Sequence, residues 1–82
     1  MGTVLVLDGW RIMIYTRDHG PAHVHVISAT GRIKVKLNCP NGPLDPYEAR
    51  GVNRGTLRKL LESLEVELDR LCSEWRNIHG DL

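Results

Sequence analysis

Phenylalanine is absent from this chain, and other aromatics are scarce: Trp10, Trp75, Tyr15 and Tyr47 complete the set. A core without phenylalanine has to be built mostly from Leu, Val and Ile. No apolar run approaches the ~18 residues that a membrane-spanning helix needs. The run Gly2-Thr3-Val4-Leu5-Val6-Leu7-Asp8 is too short for a signal peptide and lacks a basic lead. Cysteine is limited to Cys39 and Cys72, far apart and in no C-x-x-C arrangement. That argues against a disulfide framework and predicts two lone thiols suited to a reducing cytosol. Together these absences predict a soluble, cytoplasmic protein with no membrane partner.

A strong charge of one sign is missing too, since the formal net charge is +1 over 82 residues. The distribution is uneven. Residues 1–41 carry five Lys/Arg against two Asp/Glu, and residues 42–82 carry six against eight. An anionic partner would therefore meet the first half, although this excess is small beside that of strongly basic nucleic-acid binders. The length allows one domain, residues 1–82, in which only about 60% of the unfolded chain's surface can be buried. No internal repeat or low-complexity tract is visible.

Periodicity predicts an α+β fold of about four antiparallel strands. Residues 3–7 and 10–16 are apolar runs separated by Asp8-Gly9, a two-residue hairpin signal because such turns need positive φ. Asp18 to Ala22 has turn chemistry around Gly20-Pro21. Residues 23–28 and 32–37 read as the third and fourth strands. The connector 38–46, with three prolines, is not expected to hold regular structure, and Tyr47 to Arg50 reads as at most a short turn of helix. A long C-terminal helix follows, about residues 54–79, capped by Asn53 and stopped by Gly80. Leu57, Leu61, Leu64, Leu68, Leu71, Trp75 and Ile78 make its apolar stripe. Straight, it would be roughly 39 Å long, against ~15–20 Å for a sheet of short strands. Either it breaks near Glu65, or the overhanging leucines form a homodimer; covering one face of the sheet is the plainer use of the stripe.

Three of the four histidines, His19, His23 and His25, fall within seven residues. Alternation puts Val24 and Val26 towards the core, and His23 and His25 on the opposite face. The same reasoning places Arg11, Tyr15, Arg17, Arg32, Lys34 and Lys36 beside them, a face with no acid among its members. Such a face suits phosphate contact and base stacking, although exposed sheet faces are polar in any case.

Three uses of the histidines stay open. In the first, His23 and His25 perform acid–base catalysis on a ribose 2′-hydroxyl and its leaving oxygen, with Arg11, Arg17 or Lys34 steadying the charge on the phosphate. In the second, they hold a metal with Asp18 or His19 as a third ligand and His79 as a fourth, against the repulsion of a cationic face. In the third, Asp18, His19 and Pro21 simply shape the turn that sets their direction. His79 decides between a composed site and a bare turn, according to whether it comes within ~5 Å of the others.

Asp18-His19-Gly20-Pro21-Ala22-His23-Val24-His25-Val26 resembles the DH-x-PPHVHV signature of small bacterial proteins in domain-of-unknown-function family 4160. Thr3-Val4-Leu5 with Gly9-Trp10-Arg11 is similar to the family's opening hairpin. Gly51-Val52-Asn53 resembles its helix start, and Trp75-Arg76-Asn77-Ile78-His79-Gly80 its helix end. Ala22 stands where the second proline is usual, and Ile12, Met13 and Ile14 where that family carries aromatics. The resemblance implies a small α+β fold and a gene beside another small protein in a toxin–antitoxin-like pair.

The resulting expectation is a nucleic-acid-binding component of such a module, with metal-independent RNA cleavage as its activity. His23 and His25 would be the chemical groups, and Arg11, Tyr15, Arg17, Lys34 and Lys36 the phosphate contacts. No cofactor is expected. The alternatives are a non-enzymatic partner of an operon neighbour, and a small metal protein ligated by His23, His25, His19 and His79.

Overall fold

A computed structural model describes residues 3–80. Met1, Gly2, Asp81 and Leu82, which the reading of 1–82 as one domain includes, lie outside the described residues. Five strands run in chain order: β1 (Thr3–Leu7), β2 (Trp10–Met13), β3 (His23–Ile27), β4 (Arg32–Lys36) and β5 (Asp45–Arg50). They form one antiparallel meander, each strand paired with the next. Two helices follow, α1 (Arg54–Val66) and α2 (Leu68–His79). This is the expected α+β architecture with one strand more.

The local causes are those the residues dictate. Asp8 and Gly9 both take positive φ, 51° and 84°, as a two-residue hairpin between right-twisted strands requires. In β3, Val24 and Val26 are buried while His23, His25 and Ile27 are only partly covered; in β4, Ile33 and Val35 are buried and Lys34 and Lys36 are not. The buried set joins Trp10, Ile12, Ile14 and Leu37 from the strand side to Leu60, Leu64, Leu68, Leu71 and Trp75 from the helices. The core is therefore one layer between the sheet and the helices, and the other sheet face stays open.

Three expectations need correcting. First, β5 lies in the segment read as a connector with a short helical turn. It pairs with β4 from Arg32↔Arg50 to Lys36↔Asp45, with an irregularity that leaves Tyr47 without a partner. An edge strand tolerates Pro46. Because only Pro46 of its six residues is even partly buried, β5 has no apolar alternation to betray it. Strands β2, β3 and β4 also end one to three residues earlier than expected, at Met13, Ile27 and Lys36.

Second, the C-terminal helix is not continuous. It is interrupted at Glu67 (φ −98°, ψ 9°), whose amide donates to the Leu64 carbonyl at 2.9 Å in a tight turn. The longest extent of the molecule is 33 Å, short of the roughly 39 Å that an unbroken helix would span. The break lets Leu60 and Leu64 on one side, and Leu68, Leu71 and Trp75 on the other, reach the same core.

Third, Cys39 and Cys72 are not lone thiols. They form a disulfide, with Cα atoms 5.9 Å apart across a sequence separation of 33. The loop after β4 doubles back over α2 and brings them to bridging distance, which sequence spacing cannot reveal. The lone-thiol argument for a reducing compartment therefore falls.

The end of β5 meets the β3–β4 turn at backbone contact. A Cβ at Gly51 (φ 71°) would overlap the Thr30 carbonyl, and one at Gly31 would come 2.8 Å from the carbonyls of Arg50 and Gly51. Gly51→Ala is expected to cost more than about 1 kcal/mol. Gly9→Ala, where a Cβ meets nothing within 4 Å, should cost less despite its positive φ. Urea unfolding midpoints of the two variants check this, and equal losses would mean that the close approach is not what restricts Gly51.

Candidate functional site

The loop between β2 and β3 is closed by two reciprocal bonds. The Asp18 amide donates to the Tyr15 carbonyl at 3.1 Å, and the Tyr15 amide donates to Asp18 Oδ2 at 3.0 Å. That closure points the Asp18 carboxylate at the start of β3, where His23 and His25 stand two apart on one face. His25 Nε2–H donates to the carboxylate, 3.1 Å from Oδ1 and 3.2 Å from Oδ2. His23 Nε2 lies 3.6 Å from Oδ1, too far for a hydrogen bond but within ion-pair range. All three side chains are mostly covered, 12% to 16% exposed.

Proton positions follow from the partners. His23 Nδ1–H donates to the Pro21 carbonyl at 2.9 Å, because a carbonyl can only accept. Nε2 is then the His23 atom presented to Asp18. His25 must carry its proton on Nε2 to bond a carboxylate, so its neutral form keeps a lone pair on Nδ1.

Burial pushes the Asp18 carboxyl up. The Tyr15 amide, the His25 bond and the charges of His25 and His23 more than offset this and hold it below the usual 3.8. Partial burial raises the Tyr47 phenol against the pull of Lys34, with Glu48 and Asp18 adding to the rise.

Aromatic rings flank the pair. Tyr15 lies 4.6 Å from the His25 ring, and Trp75 lies 5.3 Å from the His23 ring. His79 packs against Trp75 at 4.0 Å and donates Nε2–H to the Tyr15 carbonyl at 3.1 Å. It braces the loop from the end of α2 and is not among the groups that converge. The converging set is Asp18, His23 and His25, whose ligand atoms all lie within 4.8 Å of one another. His19 is exposed and outside it.

His25 opens into a cleft of about 370 Å³ that Tyr15, Lys34, Glu48, Arg32 and Arg50 help to line. A second cleft of about 380 Å³, around the 28–31 turn, shares Arg32 and Arg50. These two arginines are direct cross-strand partners, an arrangement that is destabilising without an anion between them. Among the described residues neither forms an ion pair.

The expected acid-free face does not survive. Asp18 sits between the two imidazoles, and Glu48 lies 3.6 Å from Lys34 Nζ. Of the expected phosphate contacts, Tyr15 and Lys34 line the cleft. Lys36 instead stands over the Tyr47 ring at 5.3 Å, Arg11 is exposed on β2 beside Ile27, and Arg17 is exposed in the loop. Sequence reasoning missed Arg50 and Glu48 because it missed β5. Asp18 reads from the sequence as a turn residue or as a third ligand beside the histidines; its bond to His25 and its 3.6 Å approach to His23 are through-space contacts that spacing alone does not settle.

Residues 9–76 match the family model described as Domain of unknown function (DUF4160), so the chain belongs to that family, as the resemblance of the histidine stretch implied. No curated protein and no solved structure matches the chain.

The lowered Asp18 pKa makes a signed prediction. Its contribution to stability is complete above the usual aspartate value of 3.8 and is lost as the pH falls through the lower folded-state value. Wild type should therefore lose more stability than Asp18→Asn over the interval below about pH 4. A pH series of urea melts measures the difference between the two, and parallel curves there would exclude Asp18 as a source of acid sensitivity.

Proposed function

We propose that this member of the DUF4160 family binds single-stranded RNA on the open face of its sheet and cleaves it without a metal, with His25 as general base. The observation that carries the reading is His25 itself, held by the Asp18 carboxylate and opening into a cleft walled by Arg32, Lys34 and Arg50. An imidazole that donates Nε2–H to a carboxylate keeps its Nδ1 lone pair for proton abstraction, and the carboxylate stabilises the imidazolium that forms. The arginines and Lys34 supply positive charge for a phosphate and for the charge that grows on it during displacement.

RNA fits this equipment better than DNA. A ribose 2′-hydroxyl is an internal nucleophile that needs only a base. Its oxygen forms the new bond to phosphorus, the 5′ oxygen leaves with a proton from water, and a cyclic phosphate results. His23 has Nδ1 committed to Pro21 and Nε2 facing Asp18, and it does not line the cleft, so it takes no part in the proton transfer. This gives the chemistry to His25 alone, where the sequence reading shares general-base and general-acid roles between the two histidines. In this reading the chain is the RNA-cleaving half of a toxin–antitoxin-like pair.

His25→Ala should lower RNA cleavage by about 10²- to 10⁴-fold while leaving RNA affinity nearly intact. Arg32→Ala with Arg50→Ala should weaken binding and flatten its salt dependence by about one unit of slope per arginine. Gel-based cleavage and fluorescence anisotropy with matched RNA and DNA strands read both effects. Wild-type protein that ignores RNA at low salt, or a His25→Ala variant that cleaves as fast as wild type, would sink the proposal.

A further inference from the structure

We infer that Asp18, His23 and His25 form a binding site for one zinc-type divalent cation, and that its occupation moves the His25 proton from Nε2 to Nδ1. The first support is spacing. Around a tetrahedral zinc with bonds of about 2.0–2.2 Å, neighbouring ligand atoms sit roughly 3.3–3.6 Å apart. His25 Nε2 lies 3.1 Å and 3.2 Å from the two Asp18 oxygens, and His23 Nε2 lies 3.6 Å from Oδ1. The whole set falls within 4.8 Å.

The second support is the outer layer. Histidines that bind metals donate their other N–H to a carbonyl or carboxylate, and ligating carboxylates are themselves hydrogen-bonded. His23 donates Nδ1–H to the Pro21 carbonyl, and Asp18 accepts the Tyr15 amide. Both bonds leave the inward atoms free. When His23 is neutral, its Nε2 lone pair and the Asp18 oxygen face each other with no proton between them, and a cation at that point turns the repulsion into two bonds.

The third support concerns the neighbouring lysines, which would repel a cation. Lys34 pairs with Glu48 at 3.6 Å, and Lys36 stands over Tyr47. Each is engaged on the β5 side. Two imidazoles and one carboxylate favour zinc, copper or nickel over magnesium and calcium, which prefer all-oxygen sites. Three protein ligands leave a fourth position for water.

The consequence for His25 follows from its tautomer. As a base it carries hydrogen on Nε2 and a lone pair on Nδ1. As a ligand through Nε2 it carries hydrogen on Nδ1 and has no lone pair to offer. For the RNA-cleaving reading, on which only this consequence rests, the bound cation is an off switch.

The test uses untagged full-length protein stripped with a chelator and titrated with Zn²⁺ against a chromophoric competitor. One equivalent should bind, and millimolar Mg²⁺ should not displace it. Asp18→Asn should weaken the site by more than the roughly 10- to 100-fold that loss of an outer hydrogen-bond partner costs, and so should His23→Ala, while His19→Ala should match wild type. Far-UV circular dichroism confirms that each variant is folded; the near-isosteric Asp18→Asn decides alone if a histidine variant is not. Nitrogen-15 spectra of the histidines should show the His25 proton on Nδ1 in the zinc form. A site that Asp18→Asn leaves untouched, a stoichiometry other than one, or a His25 proton still on Nε2 with zinc bound would each overturn the inference. None of these readouts involves RNA, so failure to cleave RNA would count against the cleavage reading alone.

Discussion

The carboxylate of Asp18 is the constraint on which the site depends. A carboxylate so well covered persists only if its oxygens find donors, and here the donors come from both ends of one loop: the Tyr15 amide before it and the His25 ring after it. That single group fixes the turn between β2 and β3, the entry of the chain into β3, and the orientation of the imidazoles that the strand's alternation sets side by side. Among the described residues no buried polar side-chain atom lacks a partner. The Tyr15, Pro21 and His25 bonds order the cluster, while His23 Nε2, 3.6 Å from Asp18 Oδ1, is left without a hydrogen bond.

The open face is a selective surface, not a uniformly basic one. Glu48 engages Lys34, the Tyr47 ring engages Lys36, and Asp18 sits between His23 and His25. The cross-strand couple Arg32 and Arg50, at the wall shared by the two clefts, forms no ion pair among the described residues, and neither does Arg11 on β2. A near-neutral chain can present a focused anion site in this way, where two guanidinium groups without an ion pair stand side by side in a cleft wall.

Much of the fold was legible because burial imposes periodicity. The alternation of Val24, Val26, Ile33 and Val35, the Asp8-Gly9 hairpin, the Asn53 cap and the Gly80 stop all stand where their chemistry predicts. Helix length against sheet width left a break near Glu65 and a homodimer through the overhang as alternatives to one long helix, and the break stands two residues further on, at Glu67. β5 was illegible because an edge strand that buries little carries no pattern, and losing it lost Arg50 and Glu48. The Cys39–Cys72 bond and the grip of Asp18 on two imidazoles depend on how loops double back, and local sequence does not encode that. The histidine spacing located the site; its charge logic needed the neighbours that folding supplies.

The disulfide has a consequence for the least anchored part of this arrangement. Residues 39–72 form a covalent ring that contains β5 and α1. β5 is held to the sheet by backbone hydrogen bonds and almost no apolar contact, so its pairing with β4 is where local opening would begin. Because the ring closes just past β4 and again on α2, a strand that peels away stays at high effective concentration beside its partner. The wall of the cleft is thereby able to open and re-form as a tethered flap, with Arg50 and Glu48 carried on it.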